Sequence, residues 1–350
     1  MTPRGQDTWK RTPRAIAFVA AAFVVFSTTG LRLGAQAAQG SGRGATPAGR
    51  GAAQPAAAPG IRVLQVRPNV YMLSGAGGNI TVLTFAEGVV VVDTGSAQMA
   101  DGVLQTIKQL SDKPIVDIIN TSATADHVGG NEKLAASGRR IPQEVVAGEG
   151  PMIIAHENVL TRMSAPTGNR VAAPEHAWPN ETYHIDTMKL STHFHGGEAI
   201  ELLFAPAAHS DGDTIVWLRH ADVIAAGDIY QTTTYPVIDT ASGGTIDGVI
   251  DGLNHILDIA FPDYRSEGGT MIVSGHGRLT DMAEVAYYRD MLTIIRDRVQ
   301  DQIKKGRTLD QVKAAKLTRD YDPRWGATSG PWTTDMFVEA VYKTLAAKKK

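Results

Sequence analysis

Short runs of β-branched and aliphatic residues recur along this chain, and several lead within a few positions into a glycine-flanked Asp or His. Residues 89–92 run into Asp93-Thr94-Gly95, and 223–225 into Ala226-Gly227-Asp228. Residues 271–273 run into Ser274-Gly275-His276-Gly277, and 114–119 precede Asp126-His127-Val128-Gly129-Gly130-Asn131. A fifth element, Ala208-His209-Ser210-Asp211-Gly212-Asp213, follows the apolar run 199–205. Between such runs, residues 97–110 carry Val103, Leu104, Ile107 and Leu110 at helical spacing. Strands alternating with helices require an α/β layered fold, whose loops collect at strand ends.

The spacing predicts two short strands within 61–73 and a hairpin from 79–85 and 89–92 around Glu87-Gly88. Further strands are expected at 114–119, 188–194, 199–205, 214–218, 223–226 and 271–274. Helices are expected at 151–163, 245–259, 282–305 and 333–347, and prolines break up the stretch 140–190. The strand-rich, helix-flanked pattern occurs twice, in 61–140 and 185–280.

The amino terminus reads differently. Lys10, Arg11 and Arg14 precede an apolar run at 15–26, and Ala35-Gln36-Ala37 supplies a small-x-small cleavage site. Twelve apolar residues are too few to span a bilayer, so residues 1–37 are expected to be a signal peptide that leaves no stable membrane anchor. No twin-Arg pair precedes the run, which favours general (Sec-type) secretion to a bacterial periplasm or beyond. Residues 38–60, rich in Ala, Gly and Pro, are expected to be a flexible linker. The folded domain is then 61–350, with 281–350 as its helical C-terminal part.

The chain of 350 residues contains no cysteine, which excludes disulfides, thiolate nucleophiles and Cys-ligated metals. A formal charge of −2 gives no reason to expect a nucleic-acid partner. Oligomeric state is not legible. Any metal must be held by His, Asp or Glu, and the recurring elements offer His127, His209 and His276 with Asp126 and Asp228. Three imidazoles and two carboxylates without sulfur suit Zn, Fe(II) or Mn. The plainer alternative for Asp126 and His127 is a capped helix start.

In order and spacing these elements resemble the metallo-β-lactamase-fold hydrolases, over essentially all of 61–280, and Asp93-Thr94-Gly95 matches that family's strand-end Asp motif. The resemblance implies a four-layer αβ/βα sandwich with metals at one edge between the sheets. It also implies a second-site ion held by Asp126, His127, His276 and Asp228, with His209 belonging to the first site. The family pattern His-x-His-x-Asp-His is broken, because the stretch reads Ser122-Ala123-Thr124-Ala125-Asp126-His127. A neutral hydroxyl is a poor ligand beside imidazole, so the first site is expected to be empty or weak.

The expected protein is therefore a mononuclear, secreted hydrolase with Zn2+ as cofactor (Fe or Mn as alternatives). Its expected reaction is attack by metal-bound hydroxide on a small-molecule amide, ester, thioester or lactone, β-lactams included. Asp126 and His209 are the catalytic candidates, and Ser122, Thr124, Asn131 and Tyr230 are substrate or secondary candidates. The competing reading is a degenerate binding or accessory protein on the same fold. His193 and His195 are expected at a polar strand end in solvent, and Tyr235, like Tyr230, is a candidate to lean over the site. Gly75-Ala76-Gly77-Gly78 is rejected as a phosphate loop because no Lys follows and a strand does.

Overall fold

The computed structural model describes residues 57–140, 150–166, 170–262 and 268–347. Residues 1–37 and most of 38–60 lie outside the described residues.

One sheet has seven strands in chain order: β1 (Arg62–Arg67), β2 (Val70–Ser74), β3 (Ile80–Thr84), β4 (Val89–Val92), β5 (Ile115–Ile119), β6 (Met152–His156) and β7 (Glu181–Tyr183). The first four form an antiparallel meander, and β4 to β7 run parallel. The second sheet contains β8 (Thr187–Lys189), β9 (Ile200–Ala205), β10 (Asp213–Leu218), β11 (Val223–Ala225), β12 (Met271–Val273) and β13 (Leu279–Thr280). It is antiparallel except for the β11–β12 pair.

The helices are α1 (Ala100–Leu110), α2 (Ala125–Val128), α3 (Asn131–Ala135), α4 (Glu157–Ser164), α5 (Ile246–Ile259), α6 (Met282–Lys304), α7 (Leu309–Ala314), α8 (Asp322–Trp325) and α9 (Thr334–Ala347). Among the described residues no helix is long and apolar enough to cross a membrane.

Alternation within the strands builds the layers, since neighbours in a strand face opposite sides. Val90 and Val92 of β4 face inward onto Leu202, Val216 and Val273 of the other sheet. Val89 and Val91 face outward onto Val103, Leu104 and Ile107 of α1. On the far side, Leu203, Ile215, Ile224 and Ile272 pack against α5, α6 and α9. Helix, sheet, sheet and helix give the expected four-layer α/β sandwich with C-terminal helices. Ala58 packs on α1 and its amide donates to Thr106 Oγ1 at 3.1 Å, so ordered packing starts just ahead of β1.

Three expectations change. Residues 152–156 form a strand, and the helix starts only at Glu157. All five residues of β6 are buried, and a strand covered on both faces loses the alternation that would distinguish it from a helix. Residues 192–194 form a 3₁₀ turn after β8, not the end of a longer strand. There His195 is buried rather than solvated, with Nε2 2.6 Å from Asp117 Oδ2 and Nδ1 2.5 Å from the Ser191 carbonyl. It pins that turn to β5 beside Phe85, at the other end of β4 from Asp93. His156 is also buried, capping α4 and stacked on Phe204 at 3.8 Å.

The start of α5 clamps the loop carrying His209. Thr245 caps the helix, and its amide donates to the carbonyls of Ala207 and Ala208. The contact is backbone against backbone: a Cβ on Gly248 would run into the Ala207 carbonyl. Gly248→Ala should therefore lower stability by about 1–3 kcal/mol, the usual cost of overpacking a tight contact. Urea denaturation checks this, and an unchanged midpoint would show that the clamp can give way freely.

Candidate metal centre

The ligand-type residues converge where strands of both sheets end together. Asp93 closes β4, the loop 120–124 and α2 follow β5, Asp228 follows β11, and His276 follows β12. His209 follows β9, which runs in the same sense as β11 because both pair antiparallel to β10. Asn79, just ahead of β3, joins the two halves. Its amide nitrogen donates to the Ser274 carbonyl at 2.8 Å, and its backbone N–H to the Gly275 carbonyl at 2.7 Å.

At the centre lies His127, fully buried between two carboxylates. Its Nδ1 is 2.6 Å from Asp93 Oδ2, and its Nε2 is 3.1 Å from Asp228 Oδ1. Asp93 is itself held by the Thr121 backbone N–H at 2.8 Å and the Thr121 hydroxyl at 2.6 Å. It adopts a left-handed backbone, φ 61°, that is uncommon for a residue with a side chain. His276 Nε2 approaches Asp126 Oδ2 at 3.2 Å and Asp228 Oδ1 at 3.3 Å. One ligand atom each from Asp126, His127 and His276 lies within 4.8 Å of the other two.

This donor set fits a metal ion. Two imidazole nitrogens and a carboxylate oxygen of Asp126 gather within 4.8 Å of one another, and Asp228 Oδ1 lies against both imidazoles. The Asp93 contact assigns the proton of His127 to Nδ1 and leaves Nε2 as the ligand, the usual carboxylate–histidine–metal arrangement. Gly78 closes in from one side: a Cβ there would sit 2.6 Å from His127 Nε2. The rejected glycine-rich stretch thus serves as a tight wall, and Gly78 N–H donates to the Asp126 carbonyl at 2.9 Å.

The neighbouring position does not fit a second ion. It offers one imidazole, His209, and the far oxygen of Asp228. The Thr124 hydroxyl already donates to that oxygen at 3.1 Å, and Ser122 Oγ lies 2.7 Å from Thr124 Oγ1. His209 Nδ1 faces Asp213 Oδ1 at 3.4 Å and Asp228 Oδ2 at 3.9 Å. The Ser210 backbone N–H and hydroxyl fix Asp213 in turn.

The structure brings together Asp126, His127, Asp228, His276 and His209, with Ser122 and Thr124 where the family's His pair would be. Asp126 lies inside the first turn of α2, so the helix-cap alternative does not apply. Two secondary candidates are corrected. Asn131 is buried behind the site, bonded to Thr94, Asn120 and the Ala177 carbonyl, and is a positioning residue with no face to substrate. Tyr230 turns into the helical core against Tyr288, because the 3₁₀ turn holding Asp228 ends one residue before it. Tyr235 likewise stacks on Phe337 and donates to Asp322. Sequence reading left Asp93 and Asp213 unassigned. Asp93 had a usable signal in its strand-end Thr-Gly context, and Asp213 had only its spacing of four from His209.

The metal-free cluster is a network of ion pairs. Burial opposes charge on His127, His209 and His276, but neighbouring carboxylates outweigh it. Asp228 and Asp93 raise His127 well above its usual range. Asp228 and Asp213 push His209 up to about 9, and Asp126 and Asp228 do the same for His276. The hydrogen bond from His276 is the main cause that lowers Asp126. A histidine raised in the folded state stabilises fully below its unfolded pKa near 6.5, and that contribution is lost as pH rises through the folded value. Chelated protein should therefore lose stability between about pH 6.5 and 9. Metal affinity should rise over the same interval, because ligation requires neutral imidazole. Melting curves with chelator and calorimetry with Zn2+ across this range check both signs. Parallel trends would mean that the histidines are neutral without metal.

Comparisons with known proteins place the chain in a family. A model of the metallo-beta-lactamase superfamily matches residues 73–315. The chain is 21% identical over 241 residues to metallo-beta-lactamase type 2 of Bacillus sp. (strain 170), covering 66% of this chain and 82% of that protein. The corresponding protein of Bacillus cereus is 20% identical over the same coverage. Among solved structures, the inverting sec-alkylsulfatase Pisa1 from Pseudomonas sp. superposes with a TM-score of 0.58 at 16% identity. That match covers 81% of this chain, which spans 50% of the sulfatase chain. A metallo-beta-lactamase from Pontibacter korlensis gives a TM-score of 0.50 at 17% identity, covering 67% of this chain and 99% of its own. These two likenesses speak to the fold, whereas the superfamily match spans most of the chain: this protein belongs to the metallo-beta-lactamase superfamily, a family of metal-binding hydrolases.

Proposed function

We propose that this protein is a secreted hydrolase working with a single divalent ion, Zn2+ first, with Fe or Mn as alternatives. Its substrate is a small-molecule carboxylic acid derivative. The observation that carries the reading is the asymmetry of the cluster: Asp126, His127 and His276 gather with Asp228 against both imidazoles, while Ser122 and Thr124 stand in place of imidazoles at the next position. The basic start, the apolar run at 15–26 and the small-x-small site at 35–37 support a periplasmic or secreted location.

An ion held by those four residues would supply Lewis acidity and water acidic enough to attack an acyl carbon near neutral pH. Around it the chain's own groups divide the work. Asp93 holds the His127 ring and its tautomer. Thr124 holds the far oxygen of Asp228, keeping that carboxylate oriented without a second ion. Asp126 is half-exposed and can orient water as well as bind the ion. His209, with Nδ1 near both Asp213 and Asp228, is the ring that can exchange a proton with water or leaving group. Hydrolysis forms a bond from the water oxygen to the acyl carbon, breaks the bond to the leaving group and passes a proton to that group.

Asp93→Asn should weaken metal affinity by about 10- to 100-fold, as for other partners behind a ligand. Competition with a chromophoric chelator measures it, and unchanged affinity would remove Asp93 from the design. His276→Ala and Asp126→Ala should each abolish hydrolysis across a panel of esters, lactones and lactams, and full activity in either would sink the reading. The Ser122→His/Thr124→His double variant separates the alternatives. Uptake of a second ion with higher activity identifies a hydrolase that has lost one site. A wild type and double variant both without metal or turnover would favour the degenerate binding protein, which the missing His pair otherwise suggests.

A further inference from the structure

Beside the metal centre a cleft of about 620 Å³ opens along α2 and α4, and Thr124 and His209 belong to both. Its volume is that of an ordinary small-molecule site. The walls are mostly apolar, from Val128, Met163, Pro166, Val171, Ala173 and Pro174. Val171 is 92% exposed, a β-branched residue left in water at the rim.

The charges in the cleft cancel locally. Arg162 grips Asp211 through two bonds, 2.6 Å from Nη2 and 3.2 Å from Nε. Arg170 pairs with Asp239 at 2.7 Å and donates to Ser242 Oγ at 3.2 Å. Glu132 adds another negative charge to the lining. Among the described lining residues both arginines are already paired, so an anionic group entering here would find carboxylates beside every cation. An apolar chain would find surface to cover, and its burial needs no counter-charge.

Resting on the hydrolase reading above, we propose that the substrate is an uncharged acyl ester or lactone whose aliphatic chain lies in this cleft, and that the site disfavours substrates with a carboxylate at that end. The acyl carbon then sits at the shared boundary, near Thr124 and His209, with the chain running along Met163 towards Val171. Water adds its oxygen to the acyl carbon, the carbon–oxygen bond breaks, and the leaving alkoxide takes the proton.

The test uses the Zn2+-loaded protein with p-nitrophenyl acetate, butyrate, hexanoate and octanoate, and a cephalosporin that carries a free carboxylate. The value of kcat/KM should rise between roughly twofold and fourfold per added methylene, the upper figure corresponding to about 0.8 kcal/mol. The cephalosporin should be the poorest substrate. Calorimetry with butanamide, hexanamide and octanamide on chelated protein reads the cleft without catalysis, and Kd should fall by a similar factor per methylene. Val171→Asp, at an exposed position on the cleft rim, should flatten the chain-length trend, so that the octanoate-to-acetate ratio of kcat/KM falls. Asp211→Asn, which frees Arg162, should improve the cephalosporin relative to the octanoate. Hydrolysis with no chain-length trend, or a preference for the cephalosporin, overturns this inference and leaves the hydrolase standing. Chain-dependent binding of the amides with no hydrolysis of any probe supports the cleft assignment and overturns the hydrolase.

Discussion

The site depends on one line of contacts: a carboxylate, an imidazole and a second carboxylate, all withdrawn from water. Asp93, His127 and Asp228 come from three strand ends and two sheets, and none would be stable in that position alone. A buried carboxylate needs hydrogen-bond donors, and Asp93 finds three: the Thr121 amide and hydroxyl, and the His127 ring. A buried imidazole between two carboxylates favours a positive charge at its centre, supplied by a proton or a metal ion. The fold thus builds a cation site before any cation arrives. The long-range bonds of Asn79 to the loop of His276 keep the two sheets at the spacing this line requires.

The second consequence is asymmetry. In a two-metal site the carboxylate corresponding to Asp228 divides its oxygens between ions. Here one oxygen faces His127 and His276, and the other accepts from the Thr124 hydroxyl. That hydroxyl supplies orientation with no charge, so the negative charge of Asp228 remains for a single ion and for His209. The sequence change from imidazole to hydroxyl at 122 and 124 therefore alters the electrostatics of the centre while leaving its shape supported.

Much of this was legible in the residues. Runs of β-branched residues such as 89–92 and 223–225 mark strands by composition, and turn glycines and helical spacing mark the hairpin and the long helices. His127, His276, Asp126 and Asp228 stood out because ligand-type residues with glycine neighbours followed strands. Buried strands such as 152–156 lack alternation, so local pattern could not separate strand from helix. Side-chain direction after an irregular turn was equally hidden: Tyr230 follows Asp228 by two residues and faces the opposite layer. Asn131 acts through residues distant in the chain, Asp213 turns to His209 and Ser210 only in the folded loop, and His195 finds Asp117 only once the sheets stack. Pairings across 78 positions carry no local signal.

The central claim is that this centre holds one ion, between Asp126, His127, His276 and Asp228. The most direct measurement is an anomalous difference map from crystals of the protein loaded with Zn2+. The account predicts a single strong peak within bonding distance of the His127 and His276 Nε2 atoms, with Thr124 still bonded to Asp228. A second peak of comparable height beside His209, Ser122 and Thr124, or no peak at the first position, would contradict it.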